Sequence, residues 1–490
     1  MGIPIVCVYT VDDTIDLAKP LKTGASIPFG IAFIATVLKE AGHNVHVLVL
    51  SGDTPSYVVL ARIMAEVDPR MFCLTAVSTQ FGPICRIAEH VKAVDPSIYV
   101  VLGGHHASLN PDHALTFPAI DAICLGEGEK AVLELAAHIE RAQEPSSIPN
   151  LWLKRSGTGV IERNALAPFN EDLDSLPTVD RDLWRHWIDE PDDEPSILVG
   201  RGCPNNCSYC SNHALRRLAA GRYVRYRGAQ NVVQEVRRIC EARPVTSIYL
   251  EVETLSANLN YTFGLCEALA EFNASRDNPV RFHANMSLTR HVCRDEPTRN
   301  KLFATFAEAN LTVLNVGLES GSERIRDEVL RRPRYRNADF VRFCRAGRDF
   351  GIRFHAYVMI GLPGETVDDW KETVDVLRAS HIEFSNIGIY YPYPGTDLGD
   401  ATREEVGFED RWDGRERREV VHDRPEFSRS QIRREFVLSY FRVFRGNWSF
   451  AKRCAWTARQ FIAIHPRINR LYGRLSRRST LGRALYRAFR

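Results

Sequence analysis

The chain has 490 residues, 44% of them apolar, 10% aromatic and 25% charged, with a formal net charge of +2. That length points to two or three domains; the composition excludes a disordered or collagen-like chain, and the near-neutral charge gives no support to nucleic-acid binding. No apolar run reaches membrane-spanning length, no early stretch has the layout of a secretory signal, and the cysteines outside one cluster are scattered singly, so a cytoplasmic protein without a disulfide framework is expected.

Residues 1–150 alternate strand-like and helical runs. Ile3 to Tyr9 is β-branched, and Gly30 to Ala41 puts Ile31, Ile34, Val37 and Leu38 on one helical face before Gly42. Val45 to Leu50, Met71 to Ala76, Tyr99 to Leu102 and Ala122 to Leu125 read as further strands. This rhythm predicts an α/β, doubly wound Rossmann-like sheet whose ligand sits beyond the carboxyl ends of the strands. Those ends carry Ser78 and Thr79, Gly103 and Gly104, and Gly126 and Glu127. Small residues there let a bulky polar cofactor approach the backbone.

Prolines and the acidic run Asp189 to Glu194 mark residues 151–195 as a surface linker, the acidic run reading as solvated. The chain then reaches Cys203-Pro-Asn-Asn-Cys207-Ser-Tyr-Cys210. Spacings of three and two let one loop fold around a small inorganic cube and give one thiolate to each of three irons. Zinc and three incidental thiols are the alternatives, with His213 the only nearby further ligand.

Across residues 196–400, strand-like runs at 197, 247–252, 280–285, 312–317, 353–360 and 386–391 alternate with helical ones. Six such units predict a partial (β/α)6 barrel with its site at the carboxyl ends of the strands. Residues 401–490 read as charged loop followed by helices. From Ala451 onward there are many Lys and Arg and no Asp or Glu, and Leu471/Leu475 and Leu481/Leu485 suggest basic amphipathic helices. Such helices suit an acidic partner, a membrane surface, or a helical cap on the barrel.

The Cys-x3-Cys-x2-Cys loop resembles the signature of the radical S-adenosylmethionine (SAM) superfamily. The loops of residues 1–150, with Pro28-Phe-Gly-Ile-Ala32, resemble the cobalamin-binding-type domain that precedes many radical SAM barrels. The resemblance implies a 4Fe–4S cluster on Cys203, Cys207 and Cys210, with SAM on the remaining iron. It implies SAM contacts from the Tyr209 backbone near the adenine, from Glu253 to the ammonium, from Glu319 and Ser320 to the ribose or amino acid part, and from the Ile360-Gly361 turn beside the adenine. Arg332 would face the SAM carboxylate. Met359 to Thr366 and Tyr390 to Thr396 resemble the family's fifth- and sixth-strand motifs. Glu253 matches the second acid of the family's Asp-Asp-x-Phe, whereas Val252 departs from the first. In the first domain Ser78, Thr79, Gly103, Gly104, Gly126 and Glu127 would meet cobalamin. There is no Asp-x-His-x-x-Gly, and His105 and His106 do not fit that motif. The implied activity is generation of a 5′-deoxyadenosyl radical for cobalamin-dependent C-methylation of a small natural-product-like or sugar-like substrate. A flavodoxin- or ferredoxin-type protein would supply the electron. Cyclisation, oxidation or dehydration with a corrin-free first domain is the alternative, and a non-enzymatic iron–sulfur sensor a third.

Overall fold

The computed structural model describes residues 2–11, 18–51, 57–410, 419–465, 468–469 and 471–472. The first domain is built on strands β1 (Pro4–Val11), β2 (Asn44–Ser51), β3 (Met71–Thr75), β4 (Tyr99–Gly103), β5 (Ala122–Cys124), β6 (Leu151–Lys154) and β7 (Ile161–Arg163), in the order β2-β1-β3-β4-β5-β6-β7. The first five are parallel, with β1 registered on β2 from Pro4↔Asn44 to Val11↔Ser51. Each of these strands is apolar on both faces because helices cover both sides. Val6, Val8, Phe72 and Leu102 meet one helical layer; Ile5, Cys7, Val47 and Val101 meet the other.

Two expectations for residues 151–195 are corrected. Leu151–Lys154 and Ile161–Arg163 form an antiparallel hairpin that extends the sheet. The alternation of Leu151 and Leu153 with Trp152 and Lys154 is strand-like, but only four residues long and set among turns. The acidic run is not simply solvated either. Asp192 accepts two bonds from Arg185 at 2.8 and 3.1 Å, and Glu194 pairs with His283 of the barrel. Val179, Trp184 and Ile188 of this segment are buried in the first domain's core.

The second sheet has six parallel strands in sequential order: β8 (Ser196–Leu198), β9 (Ser247–Glu251), β10 (Arg281–Met286), β11 (Leu311–Glu319), β12 (Arg353–Ile360) and β13 (Phe384–Ile389). It is the expected partial barrel, with no pairing between β13 and β8. The outward residues Ile248, Leu250, Phe282, Leu314, Phe354 and Ile387 pack under the helices. The alternate face is polar. Tyr249 O–H donates to Asn285 Oδ1 (2.7 Å), and Asn315 Nδ2 donates to the same oxygen (3.1 Å). Beyond the barrel, the helices Arg429–Val443 and Phe450–Ile464 cap the outside of β13. Phe384 meets Trp456 with ring centroids 5.2 Å apart, and Tyr440 O–H donates to the Ser385 carbonyl (2.7 Å). No described helix is long and apolar enough to cross a membrane, and residues 473–490, with Leu475, Leu481 and Leu485, lie outside the described residues.

Candidate active site

The cysteine loop leaves the short hairpin formed by Gly200–Arg201 and Arg225–Tyr226. Gly202 turns the chain with φ +90°, and a Cβ there would stand 2.3 Å from the Tyr223 carbonyl oxygen, so only glycine allows this departure. The loop is tied down on several sides. Ser208 N–H donates to the Leu330 carbonyl (3.0 Å), Ser208 O–H to the Val329 carbonyl (2.6 Å), and Leu398 N–H to the Ser208 carbonyl (2.9 Å). Cys207 is buried, and Cys203 and Cys210 are half-buried. His213 is not a further ligand: its Nδ1 meets the Cys210 carbonyl oxygen (2.6 Å) and its Nε2 the Asp397 carboxylate (3.1 Å). Among the described residues, no three His, Cys, Asp or Glu side chains form a single-ion site.

Arg332 is drawn from its basic cluster into the centre of this arrangement. Its guanidinium lies 3.8 Å from Cys207 Sγ, 3.2 Å from the Tyr209 hydroxyl and 3.6 Å from Glu319 Oε1, and it donates to the Gly317 carbonyl. Burial pushes the Cys207 thiol up, and the Arg332 charge opposes that shift. Three thiols with a cation beside one of them form a donor set that suits a thiolate-bound iron–sulfur cluster. Burial likewise raises the Glu319 carboxyl, opposed first by Arg332 and then by the Tyr209 hydroxyl. Glu319 stands at φ +63°, at the irregularity where β11 shifts register against β12. A non-glycine residue in this conformation costs on the order of 1–3 kcal/mol and is typical of functional sites.

Glu253, just past β9, is open to solvent yet ringed by protein. Burial raises its carboxyl, and the Gly202 amide, Arg201 and Arg225 oppose the shift. Glu251, on the same strand, is pushed up to about 7 by burial and by Glu253. Three further residues expected at SAM follow at the ends of β11 and β12. Ser320 is wholly buried, and its hydroxyl accepts from Ser322 N–H (3.2 Å). Ile360 is wholly buried in the barrel's outer core, and Gly361 is buried with Ile432 of the capping helix beside it. The turn is held by Glu365, which sequence reasoning passed over: this buried carboxylate accepts from the Gly361 and Leu362 amides at 2.7 and 3.2 Å. The Ile360 side chain follows the outward phase of Phe354 and Val358 and faces the helices, while Ser320 and Gly361 stand just past the ends of β11 and β12.

The first domain presents its β4 and β5 ends to the same region, its helix His105–Leu109 lying against Ser211–Leu215 just beyond the cysteines. Gly104 has φ +93°, and a Cβ on it would fall 2.7 Å from both the Ala76 carbonyl oxygen and Thr75 Oγ1. Gly103 and Gly126 have no such neighbours; Gly126 N–H donates to Ser108 Oγ (3.0 Å). Thr79 and Thr10 keep buried hydroxyls without hydrogen-bond partners among the described residues. Ser78 meets buried His106 (3.1 Å). Unpaired hydroxyls beside a small-residue ridge suit a polar cofactor laid across these ends. Glu127 is already engaged. It pairs with Arg201 (2.9 Å) and Arg225 (3.0 Å) and accepts from Asn170 N–H (2.8 Å), while Glu129 also holds Arg201. Glu127, expected at the corrin, clamps the first domain to the cysteine hairpin.

Comparison with known proteins gives two family matches: the Radical SAM superfamily over residues 197–377 and the B12 binding domain over residues 23–136. An uncharacterised methyltransferase of Pyrococcus horikoshii is 23% identical over 374 residues, covering 76% of this chain and 77% of its own. The anaerobic magnesium-protoporphyrin IX monomethyl ester cyclase of Rubrivivax gelatinosus is 27% identical over 380 residues, covering 76% of this chain and 65% of its own. Among solved structures, the radical SAM methyltransferase TsrM from Kitasatospora setae, with tryptophan and a SAM analogue bound, superposes with a TM-score of 0.65 at 20% identity. That match spans 82% of this chain and 76% of the other.

Proposed function

We propose that this chain, with its radical SAM match over residues 197–377 and its B12 binding match over residues 23–136, is a cobalamin-dependent methyltransferase acting on an unactivated carbon of a small polar molecule. The observation that carries the reading is the meeting of the three-cysteine loop with the β4 and β5 ends of the first domain, fastened by Glu127, Arg201 and Arg225. The cofactors supply reductive cleavage of SAM and a transferable methyl group. The protein's own part is binding and orientation. Cys203, Cys207 and Cys210 hold the cluster; Glu253 and Glu319 accept from the SAM ammonium and hydroxyls, and Arg332 lies beside the SAM carboxylate. Tyr209 is kept in place by Arg332, Ser320 stands with Glu319 at the ribose or amino acid part of SAM, and the Ile360-Gly361 turn lies beside the adenine. Thr79, Gly103, Gly104 and Gly126 form the floor for the corrin, with Ser78 beneath it.

The substrate enters the polar barrel face of Tyr249, Glu251, Asn285, Asn315 and Tyr357, where hydrogen bonds rather than apolar contact select it. A flavodoxin- or ferredoxin-type protein delivers the electron. The relationship to the Rubrivivax cyclase supports a second reading, radical chemistry without methyl transfer.

Anaerobic purification with added hydroxocobalamin separates the two. Methyl transfer predicts a corrin absorption spectrum on the protein and formation of both S-adenosylhomocysteine and 5′-deoxyadenosine from SAM. Production of 5′-deoxyadenosine alone by a corrin-free protein overturns it in favour of the second reading.

A further inference from the structure

The cysteine loop has an outer side as well as the side that faces the barrel. Asn205 turns inward, its Nδ2 donating to Ser287 Oγ just past β10 (3.0 Å). Pro204 and Asn206, on either side of it, are exposed, and within Cys203–Cys210 they are the only exposed residues. Pro204 is bonded directly to Cys203 and Asn206 to Cys207. The exposed tip of the loop therefore stands one peptide bond from two of the three thiol-bearing residues.

Arginines collect at this tip in excess of acids. Arg216, just past the helix Ser211–Leu215, donates to the Pro204 carbonyl (3.0 Å) and to Asn206 Oδ1, both neutral acceptors. Arg217 and Arg331, with side chains 59% and 60% exposed, share the single carboxylate of Asp397 at 3.0 and 2.9 Å. Asp397 is itself fixed to the loop, since the next residue, Leu398, donates its N–H to the Ser208 carbonyl (2.9 Å). Three arginines are thereby bonded to one carboxylate, in a chain whose formal net charge is only +2. Arg334 and Arg336 add nothing to this excess, because Asp327 and Glu323 match them one to one. Exposed ion pairs contribute little to stability, whereas an unbalanced positive rim steers an anionic partner.

We propose that the loop tip, Pro204 and Asn206, together with Arg216, Arg217 and Arg331, is the docking surface for a small acidic protein that carries one electron at a time. This rests on the reading of the three cysteines as ligands of a reducible cluster. One electron leaves the carrier and the oxidised cluster gains it; in a flavodoxin the anionic flavin hydroquinone becomes the neutral semiquinone. No proton moves and no bond is made or broken. Electron tunnelling weakens steeply with distance, so a donor has to sit where the loop reaches solvent. A contact centred on a few arginines fits the small, short-lived interfaces of redox partners, below about 1,200 Å².

Isothermal titration calorimetry of the purified protein with an oxidised flavodoxin, and with an oxidised ferredoxin, tests the surface apart from turnover. At least one of the two is expected to bind at low salt and to bind more weakly as salt rises. Arg217→Gln/Arg331→Gln is expected to weaken that binding about tenfold, with an unchanged melting temperature and unchanged SAM cleavage when dithionite supplies the electron. Arg217→Lys/Arg331→Lys, which keeps both charges, is expected to bind within about twofold of the parent. Arg348→Gln/Lys371→Gln, the same loss of charge on the exposed sides of the outer helices Asn337–Asp349 and Val367–Ala379, is expected to bind as the parent does. Binding of neither carrier, or binding that ignores salt, overturns the proposal. Full-strength binding by the Arg217→Gln/Arg331→Gln protein, or equal weakening in the lysine or the outer-helix variant, overturns it as well. If the parent cleaves no SAM even with dithionite, the cluster reading fails and the docking surface with it; if dithionite drives cleavage while one of the binding results above is contrary, only the docking surface fails.

Discussion

Arg332 shows how one residue acquires its role from tertiary placement. In sequence it is one of four arginines between 331 and 336; in the structure its side chain is 7% exposed and meets Cys207, Tyr209 and Glu319 together, whereas the Arg331 side chain is 60% exposed and reaches Asp397. Replacing Arg332 by Met leaves Glu319 buried without its cation, which costs about 3 kcal/mol. The expected result is a matching drop in unfolding free energy in urea, fewer irons per chain after reconstitution, and SAM cleavage slowed by about tenfold or more. Full iron loading with unchanged cleavage would remove Arg332 from the site. Glu251 makes a different prediction. Its carboxyl rises from the usual 4.5 to about 7 because burial, and then Glu253, disfavour the charge. The folded protein therefore holds a proton that the unfolded chain releases, and this contribution to stability declines as pH rises from about 4.5 through about 7. Glu365, pushed up to about 8 by burial, acts with the same sign. Comparing Glu251→Gln with the parent isolates Glu251: the variant's stability should fall less between about pH 5 and about pH 8 in urea titrations. An identical pH slope in both proteins would refute the shift.

At the scale of elements, the hairpin Gly200–Arg201/Arg225–Tyr226 joins the two domains because Glu127 lies on the β5 loop opposite both arginines. Arg225 has a side chain only 2% exposed, so removing its partner leaves a buried charge uncompensated. Glu127→Ala is expected to lower the unfolding free energy by about 3 kcal/mol even without cofactors. A corrin contact would behave otherwise, leaving the corrin-free protein as stable as the parent. This distinction was not legible in the sequence, where Glu127 follows a glycine in a loop that fits a cofactor as well as a clamp. The strands were legible, since β8 to β13 are apolar or alternating runs bounded by helical stretches, and so was the cysteine loop, whose spacing is local. What escaped were properties set by distant neighbours. Leu151–Lys154 is a strand only because β5 lies alongside it. The Ile360 side chain faces the core because of the phase of β12, and Glu365 matters because its carboxyl group folds back onto Gly361.

At the scale of the molecule, the boundary of the first domain is decided by its core. Leu151, Leu153, Val179, Trp184 and Ile188 all lie in the hydrophobic cluster beneath β1 and β2, and each is at most 4% exposed. Burying a large apolar side chain contributes about 1.5–3 kcal/mol. Loss of these five together is comparable with the whole stability of an ordinary domain, about 5–15 kcal/mol. A fragment of residues 1–150, the boundary suggested by periodicity, is therefore expected to lack a cooperative thermal transition. A fragment of residues 1–195 keeps all five side chains together with the hairpin β6–β7 and is expected to melt cooperatively, losing from this cluster Leu198 of β8 and, outside it, the ion pairs of Glu127 and Glu129 with Arg201 and Arg225. Circular dichroism melts of the two fragments decide the matter. If both unfold cooperatively, the segment 151–195 is a dispensable strap; if neither does, the first domain depends on the barrel for its fold. Cooperative melting by the longer fragment alone makes that segment an integral part of the first domain, carrying its core up to the first strand of the barrel.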